Sequence, residues 1–355
     1  MSVLDKGKKR LFLMYDLVRE FPWRRALQVH DRQAELVVWI HHASPKPWWK
    51  YVLRGDFILK DAGLVAALVD AKIPFRVVTG GKVEQLRDET IVYSIFEYNP
   101  SRHQDYSAGL VEALRAIEAR GNTLYPSADE AEWWENKVFM HRRFDELGVN
   151  CPATVLDRVA DDLHVEKFDF PLLVKEPHSQ GSAGLHKVDS AEALRRLRAE
   201  FRAQGEPEVL IQELLDMSRD LRVTMVGDQI VHHYFRINTT EEWQPTSTRR
   251  GSLVDFETFP EQWREHIVEV FGRLGLRTGA FDICWQGDDL DTEPIFLEVS
   301  PAYTPNPPPS PPFADQPYYA FKKQLTGPDS FGTAFVRTVF EIQRLVVAEW
   351  GIAQR

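Results

Sequence analysis

The sequence predicts an α/β protein of two or three lobes, and three observations lead to this. Its 355 residues exceed what one ordinary hydrophobic core accommodates. In the first third, short apolar runs alternate with segments of helical spacing, which is typical of a doubly wound parallel sheet. Further along, Gly227-Asp228 separates two apolar runs and predicts a hairpin, and with it an antiparallel sheet.

In the N-terminal third, each apolar run is assigned by its length and residue types. Strands are predicted at residues 10–16, 35–42, 74–79 and 90–96. Helical spacing predicts helices at residues 61–72 and 109–120, the second closed by Gly121. Together these elements predict a doubly wound lobe over residues 1–125.

The rest of the sequence predicts a smaller unit followed by a unit rich in strands. Helices are predicted at residues 128–147, 191–204, 260–274 and 336–350. Strands are predicted at residues 172–176, 209–214, 221–226, 229–235, 278–285 and 295–299. Residues 301–312 contain seven prolines and are expected to be extended.

Composition excludes several classes of protein. Hydrophobic residues make up 43% and charged residues 27%, so a disordered scaffold is excluded. The net charge of 43 − 53 = −10 disfavours nucleic acid and anionic membranes as partners. No apolar run reaches the roughly 20 residues that span a bilayer, and no secretory signal is recognised. Cys151 and Cys284 lie far apart, so we expect a cytoplasmic protein.

A glycine-bearing turn is the first candidate site. Lys175 ends an apolar strand, and the run HSQGSAGL follows at residues 178–185. Small residues there would let backbone N–H groups approach phosphate oxygens while the lysine supplies positive charge. A plain hairpin loop that needs glycine for positive φ explains the pattern equally well.

Two acids in apolar strands form the second candidate. Asp282 lies in TGAFDICW and Glu298 in IFLEV. If these strands pair, both carboxylates point into one pocket, where a cation must offset their repulsion. Oxygen ligands favour Mg²⁺ or Mn²⁺. The alternative is that each acid lies on a solvated strand face.

Isolated cations are the third candidate group. Lys137, Arg222 and Arg236 are each ordinary surface charges when considered singly. Arg249-Arg250 is either an anion-binding loop or, as we favour, a solvated turn.

Taken in order, these sites resemble the ATP-grasp enzymes, nearest the glutathione synthetase and ribosomal-protein glutamate ligase (RimK-like) branch. The resemblance covers roughly residues 122–310. It rests on the runs ENKVFMHRRFDELGVNCPAT (135–154), FPLLVKEPHSQGSAGLHKV (170–188), EVLIQELLDMSRDLRV (208–223), GDQIVHHYFRIN (227–238) and GLRTGAFDICW with IFLEVSP (275–301). It implies an α/β fold with a small α+β lid at residues 126–220 and an antiparallel C-terminal lobe at residues 221–355.

The resemblance also implies roles for individual residues. Lys137 and Lys175 would contact ATP phosphates, and Arg236, with Arg222 and Lys175, would act on the transferred phosphoryl group. Asp282 and Glu298 would hold Mg²⁺ or Mn²⁺. The remaining implied ATP contacts are the covering loop (Ser179, Gly181, Ser182, Gly184), the adenine strand (Gln212, Glu213, Leu214) and a ribose contact, Asp220.

One position departs from the family pattern. The family usually places Asn two residues after the metal-binding Glu, whereas this chain has Ser300 there. A serine hydroxyl can ligate Mg²⁺, although it is shorter, and Asn306 is an alternative third ligand.

The resemblance implies an ATP-dependent ligase that activates a carboxylate as an acyl phosphate and joins it to an amine. A phosphotransferase acting on a hydroxyl and a catalytically degenerate nucleotide-binding protein are the alternatives. The expected partners are ATP and small carboxylate and amine substrates or a peptide, and the resemblance also allows a homodimer. An anionic substrate is suggested by a set of arginines: Arg219, Arg222, Arg236, Arg249 and Arg250. Trp39, Trp48, Trp49 and the PPPSPP run either line an acceptor pocket or serve only packing and stiffness.

Overall fold

Three β-sheets organise the chain, and each has its own pattern of hydrogen bonds. The computed structural model describes residues 13–41, 56–95, 106–162, 169–178, 184–240, 243–248, 251–314, 317–324 and 327–352. Within these ranges, no helix is long and apolar enough to cross a membrane.

The first sheet is parallel, with the order β2-β1-β3-β4. Its strands are β1 (Leu36–Ile40), β2 (Arg76–Thr79), β3 (Thr90–Tyr93) and β4 (Thr123–Tyr125). Alternate residues of β1 enter two different cores, because successive side chains point to opposite faces. Val38 packs against helix α2 (Asp56–Asp70) on one face, whereas Val37 packs against α3 (Tyr106–Glu118) on the other. The doubly wound prediction is therefore confirmed.

The second sheet is antiparallel and small. It has the order β5-β8-β6-β7. The strands are β5 (Thr154–Arg158), β6 (Leu172–Lys175), β7 (Leu185–Val188) and β8 (Glu208–Glu213), and helix α6 (Ala191–Gln204) covers their apolar face. A buried ion pair joins Arg198 of α6 to Asp157 of β5, with Nε 2.6 Å from Oδ2.

The third sheet is antiparallel, with the order β11-β10-β9-β12-β13. Its strands are β9 (Arg219–Val226), β10 (Gln229–Ile237), β11 (Leu253–Asp255), β12 (Thr278–Cys284) and β13 (Ile295–Ser300). The hairpin predicted at Gly227-Asp228 joins β9 to β10, and Gly227 has a φ of 57°. The apolar face of this sheet packs on helix α7 (Arg264–Arg273) and on α5 (Lys137–Leu147).

The C-terminal helix returns to the first sheet. Helix α9 (Phe331–Glu349) packs along α2, where Val339 and Phe340 are buried. Gly63 of α2 permits this close approach, because a Cβ at that position would lie 3.1 Å from Cγ of Gln343.

Two secondary-structure predictions are wrong. Residues 13–20, which include the described part of the predicted first strand, are helical, and Leu13 and Leu17 share one buried face. A short apolar run does not distinguish a strand from a helix. The predicted helix 128–147 is two helices, α4 (Ala128–Glu132) and α5, because Glu135 adopts a φ of 51° between them.

Six described helices and strands were missing from the prediction. They are α1 (Trp23–Val29), β4, β5, β7, β11 and α8 (Tyr318–Phe321). Each is seven residues or shorter, so its pattern is too brief to show a period. The proline-rich segment contains no helix or strand up to residue 310, but Pro311–Phe313 form a short 3₁₀ helix where the prediction had an extended chain.

Candidate functional site

The polar face of the third sheet brings together the predicted arginines and acids. Asp282 lies directly opposite Arg222 on one neighbouring strand and Glu298 on the other. Residues opposite each other in an antiparallel pair point to the same face. The prediction that both carboxylates share one sheet face therefore agrees with the observed register.

Ion pairs run across this face. Asp282 accepts from Arg222 Nη1 at 2.6 Å and lies 3.0 Å from Arg236 Nη2. Arg236 also donates through Nε to Asp220 Oδ1 at 2.9 Å, and its Nη2 contacts the second oxygen of that carboxylate. Burial alone would raise the pKa of Asp282, but the Arg222 and Arg236 guanidiniums lower it below its ordinary value. Asp282 therefore remains ionised at neutral pH.

Two lysines approach the face from other elements. Lys175 ends β6 of the small sheet, and Lys137 begins α5, where it is 8% exposed. Burial and the Lys137 charge lower the pKa of Lys175 to about 8, while Glu298 and Asp282 act in the opposite direction. These couplings place Lys175 within electrostatic reach of both acids. Two ammonium groups, one from the small sheet and one from α5, are therefore coupled to the acids of the mixed-charge face.

Two residues that were not predicted also belong here. His141 lies one helical turn after Lys137, and burial together with Lys175 and Lys137 lowers its pKa to about 3. Burial raises the pKa of Glu135 to about 7, with Lys137 opposing and Glu298 adding to this shift. The i, i+4 spacing from Lys137 is the sequence signal that could have indicated His141.

The residues predicted to surround adenine lie at the end of β8. The Gln212 side chain donates to Thr154 Oγ1 at 2.8 Å and lies 3.4 Å from His141 Nε2. Glu213 accepts from the Ala153 N–H at 2.7 Å, and Leu214 follows the strand directly. Contacts of these residues with adenine remain a prediction.

The covering loop is described only in part. Ser179, Gly181 and Ser182 lie outside the described residues. Gly184 has a φ of 64°, and a Cβ there would lie 2.6 Å from Cδ of Glu176. This position therefore needs glycine for two separate reasons.

The structure assigns local partners to several other predicted site residues. Both oxygens of Asp220 contact Arg236, and its ribose contact remains a prediction. Ser300 Oγ donates to the Ala302 carbonyl at 3.1 Å and accepts from the Ala302 N–H at 3.2 Å. Asn306 donates to the Tyr234 hydroxyl on β10 at 2.8 Å, and its role as an alternative third ligand remains a prediction.

Two substrate-pocket expectations need correction. Arg219 alternates to the opposite face of β9, where its guanidinium lies 5.1 Å from the centre of the Phe235 ring. Trp39 is buried in the parallel-sheet core, and its Nε1 donates to the Gly80 carbonyl, so it serves packing. Arg249, Arg250, Trp48 and Trp49 lie outside the described residues.

Comparison with solved structures decides the fold. The D-alanine–D-alanine ligase of Bacillus anthracis, complexed with ATP, superposes with a TM-score of 0.53 at 12% identity, covering 88% of this chain and 99% of that chain. The ATP-grasp ligase PsnB, complexed with minimal precursor, Mg and ADP, gives 0.51 at 15% identity, covering 90% and 99%. The chain has the ATP-grasp fold.

Sequence comparison adds a shorter match. A stretch of 69 residues is 36% identical to the D-alanine–D-alanine ligase of Hydrogenovibrio crunogenus. The match spans 19% of this chain and about a fifth (22%) of that ligase. No protein-family model matches the sequence.

Proposed function

We propose that the chain is an ATP-dependent carboxylate–amine ligase. A carboxylate oxygen would attack the γ-phosphorus of ATP, forming an acyl phosphate and releasing ADP. The amine would then attack the acyl carbon, forming the C–N bond as phosphate leaves and the amine gives up its proton. Activation is required because an oxide is too poor a leaving group for direct amide formation.

One observation carries the proposal. The Lys137 N–H at the start of α5 donates to the Pro177 carbonyl, two residues beyond Lys175, at 3.2 Å, so the two lysines lie on adjoining segments. Glu298 and Asp282 of the large sheet oppose the lowering of the Lys175 pKa by burial. A triphosphate bound near these residues would meet the ammonium groups of the two lysines and the guanidinium groups of the third sheet. Such groups would stabilise the charge that develops in phosphoryl transfer, without a covalent nucleophile on the protein.

Mg²⁺ fits the acidic residues present. Across the described ranges, no three histidine, cysteine or acidic side chains gather closely enough to hold a metal by themselves. Mg²⁺ in nucleotide sites usually takes only one or two carboxylates, together with phosphate oxygens and water. Asp282 and Glu298, in register on neighbouring strands, would provide these two carboxylates. When bound, the ion would neutralise charge on the phosphates.

The arginines would have different tasks. Arg236 is held by two carboxylates and would be preorganised toward the transferred phosphoryl group. Arg222 shares Asp282 with it and would orient a substrate carboxylate, because guanidinium binds carboxylates in a forked geometry. Lys137 and Lys175 would bind phosphate oxygens.

Calorimetry with ATP, with and without Mg²⁺, tests the site. We expect Mg²⁺-dependent binding in the wild type, and its loss in Glu298→Gln with the fold retained by circular dichroism. No nucleotide binding under any condition would refute the proposal and favour a degenerate binding protein.

Phosphate release tests the reaction. Pairs of carboxylates and amines should yield ADP and free phosphate in equal amounts, and Lys175→Ala should abolish this turnover. Hydroxylamine added in place of the amine should trap the acyl phosphate as a hydroxamate. Transfer of the γ-phosphate to a stable hydroxyl acceptor would refute ligation.

A further inference from the structure

Two segments that are distant in sequence are bonded together beside the candidate phosphate site. One is the turn that leads into α5, and the other is the chain that leaves β6. Besides the bond from the Lys137 N–H to the Pro177 carbonyl, a second bond joins them. It links Nδ1 of His178 to the carbonyl oxygen of Glu135 at 2.9 Å. The roles assigned above make no use of His178.

The imidazole of His178 is the donor in this bond. A backbone carbonyl oxygen only accepts hydrogen bonds, so Nδ1 of His178 must carry a proton. A neutral imidazole can hold its single proton on Nδ1, and a charged imidazole always has one there. The bond therefore forms at neutral pH and does not depend on the charge of the ring.

The backbone at Glu135 depends on contacts of this kind. Its φ of 51° lies in the left-handed region, which residues other than glycine rarely adopt. Such a conformation persists only where surrounding contacts hold it, and it is concentrated at functional sites. His178 holds the carbonyl of Glu135, and the Asn136 side chain accepts from the Phe139 N–H at 3.1 Å to cap α5. The turn thereby fixes where α5 begins, and its first residue is Lys137.

The same contacts hold two ammonium groups near each other. Lys175 ends β6 and precedes His178 by three residues, while Lys137 is 8% exposed at the start of α5. Burial lowers the pKa of Lys175, and the positive charge of Lys137 lowers it further. Like charges at this range repel each other, so contacts between the two segments must oppose the repulsion. Two lysines held together in this way form a preorganised site for anionic oxygens.

We propose that His178 is a positioning residue for the binding of nucleotide phosphates. Its bond to the Glu135 carbonyl holds the left-handed turn, and the turn places the Lys137 ammonium group beside Lys175. His178 itself does not contact the nucleotide. That the anion is a nucleotide rests on the proposed function, whereas the bond between the two segments belongs to the fold.

Calorimetry with ATP and Mg²⁺ on the full chain tests this role. We expect His178→Ala to weaken ATP binding by about five- to tenfold, because the hydrogen bond that holds the turn is lost. His178→Asn should bind ATP like the wild type, because its side-chain N–H group stands as many bonds from the backbone as Nδ1 does. His186→Ala is the matched control and should also bind like the wild type. His186 lies on β7 of the same sheet, but its ring faces Glu176, at 3.6 Å, instead of the turn before α5.

A double-mutant cycle separates positioning from a general effect on the fold. Lys137→Met removes the ammonium group and keeps an unbranched side chain. If His178 acts through Lys137, then His178→Ala should cause no further loss of ATP affinity in the Lys137→Met protein. A residue that only supports the fold would weaken ATP binding by the same factor in both backgrounds.

Three outcomes would overturn the proposal. These are equal ATP affinities for His178→Ala and His186→Ala, a loss in His178→Asn as large as that in His178→Ala, or an equal loss with and without Lys137. Failure of the ligase function gives a different result. Weakened ATP binding in His178→Ala, in a protein whose wild type forms no hydroxamate, would support the positioning role and refute ligation. A wild type that binds no ATP would refute both.

Discussion

The buried charge cluster at the centre of the third sheet provides the sharpest prediction. Arg222, Arg236, Asp220 and Asp282 form two positive and two negative charges joined in a chain. Asp220 is 1% exposed, and both its oxygens contact Arg236. Asp220→Asn would keep the shape of the side chain but leave one uncompensated positive charge in the sheet.

The size of the effect follows from burial. Removing one partner of a buried ion pair costs about 3–5 kcal/mol, because the remaining charge stays desolvated. Asp282 still contacts Arg236 at 3.0 Å, and the asparagine oxygen can accept one hydrogen bond. We therefore expect the lower end of that range, about 3 kcal/mol of unfolding free energy.

Urea unfolding of three proteins measures this effect. Glu261→Gln is the matched control, because Arg264 binds Glu261 with the same forked geometry, at 2.7 and 2.8 Å, but on the surface. Its unfolding midpoint should equal that of the wild type, since exposed pairs contribute little. Phosphate release should also fall in Asp220→Asn, because Arg236 loses its orientation. Equal midpoints for Asp220→Asn and Glu261→Gln would refute the reasoning.

Three further predictions concern the nucleotide site and its loops. With the Lys175 pKa near 8, its ammonium form is lost as pH rises, so Mg²⁺-free ATP affinity should fall about tenfold between pH 7 and pH 9. Calorimetry on Lys175→Arg should show no such fall in ATP affinity. An equal fall in this variant and in the wild type would contradict the contact between Lys175 and the phosphates. Ser300→Asn should retain turnover, because Asn also accepts from the backbone N–H two residues on; a collapse of phosphate release would show a dedicated serine role. Gly184→Ala should destabilise more than Gly205→Ala in urea, because both have positive φ but only Gly184 would meet a neighbour, Glu176; equal costs would contradict this.

The sequence correctly predicted the helices and strands whose hydrophobic period extends over several residues. The alternation of apolar runs and helices led to the parallel sheet, and Gly227-Asp228 led to the β9–β10 hairpin. It failed for residues 13–20, where a helix buries Leu13 and Leu17 against the C-terminal segment. The prediction also failed at Glu135, where a positive φ interrupts a segment whose residue types are all typical of a helix.

The sequence by itself determined the fold class and the residues that are candidates for binding phosphate and Mg²⁺. Both follow from the residue types and their order along the chain. Only the tertiary structure decided which of these groups meet. Pairing of β9, β12 and β13 places Arg222, Asp282 and Glu298 side by side, whereas a shift of one residue would turn Asp282 into the apolar core. The same pairing turns Arg219 away from the site. The strand register depends on packing between strands that are distant in sequence, so local sequence patterns cannot predict it.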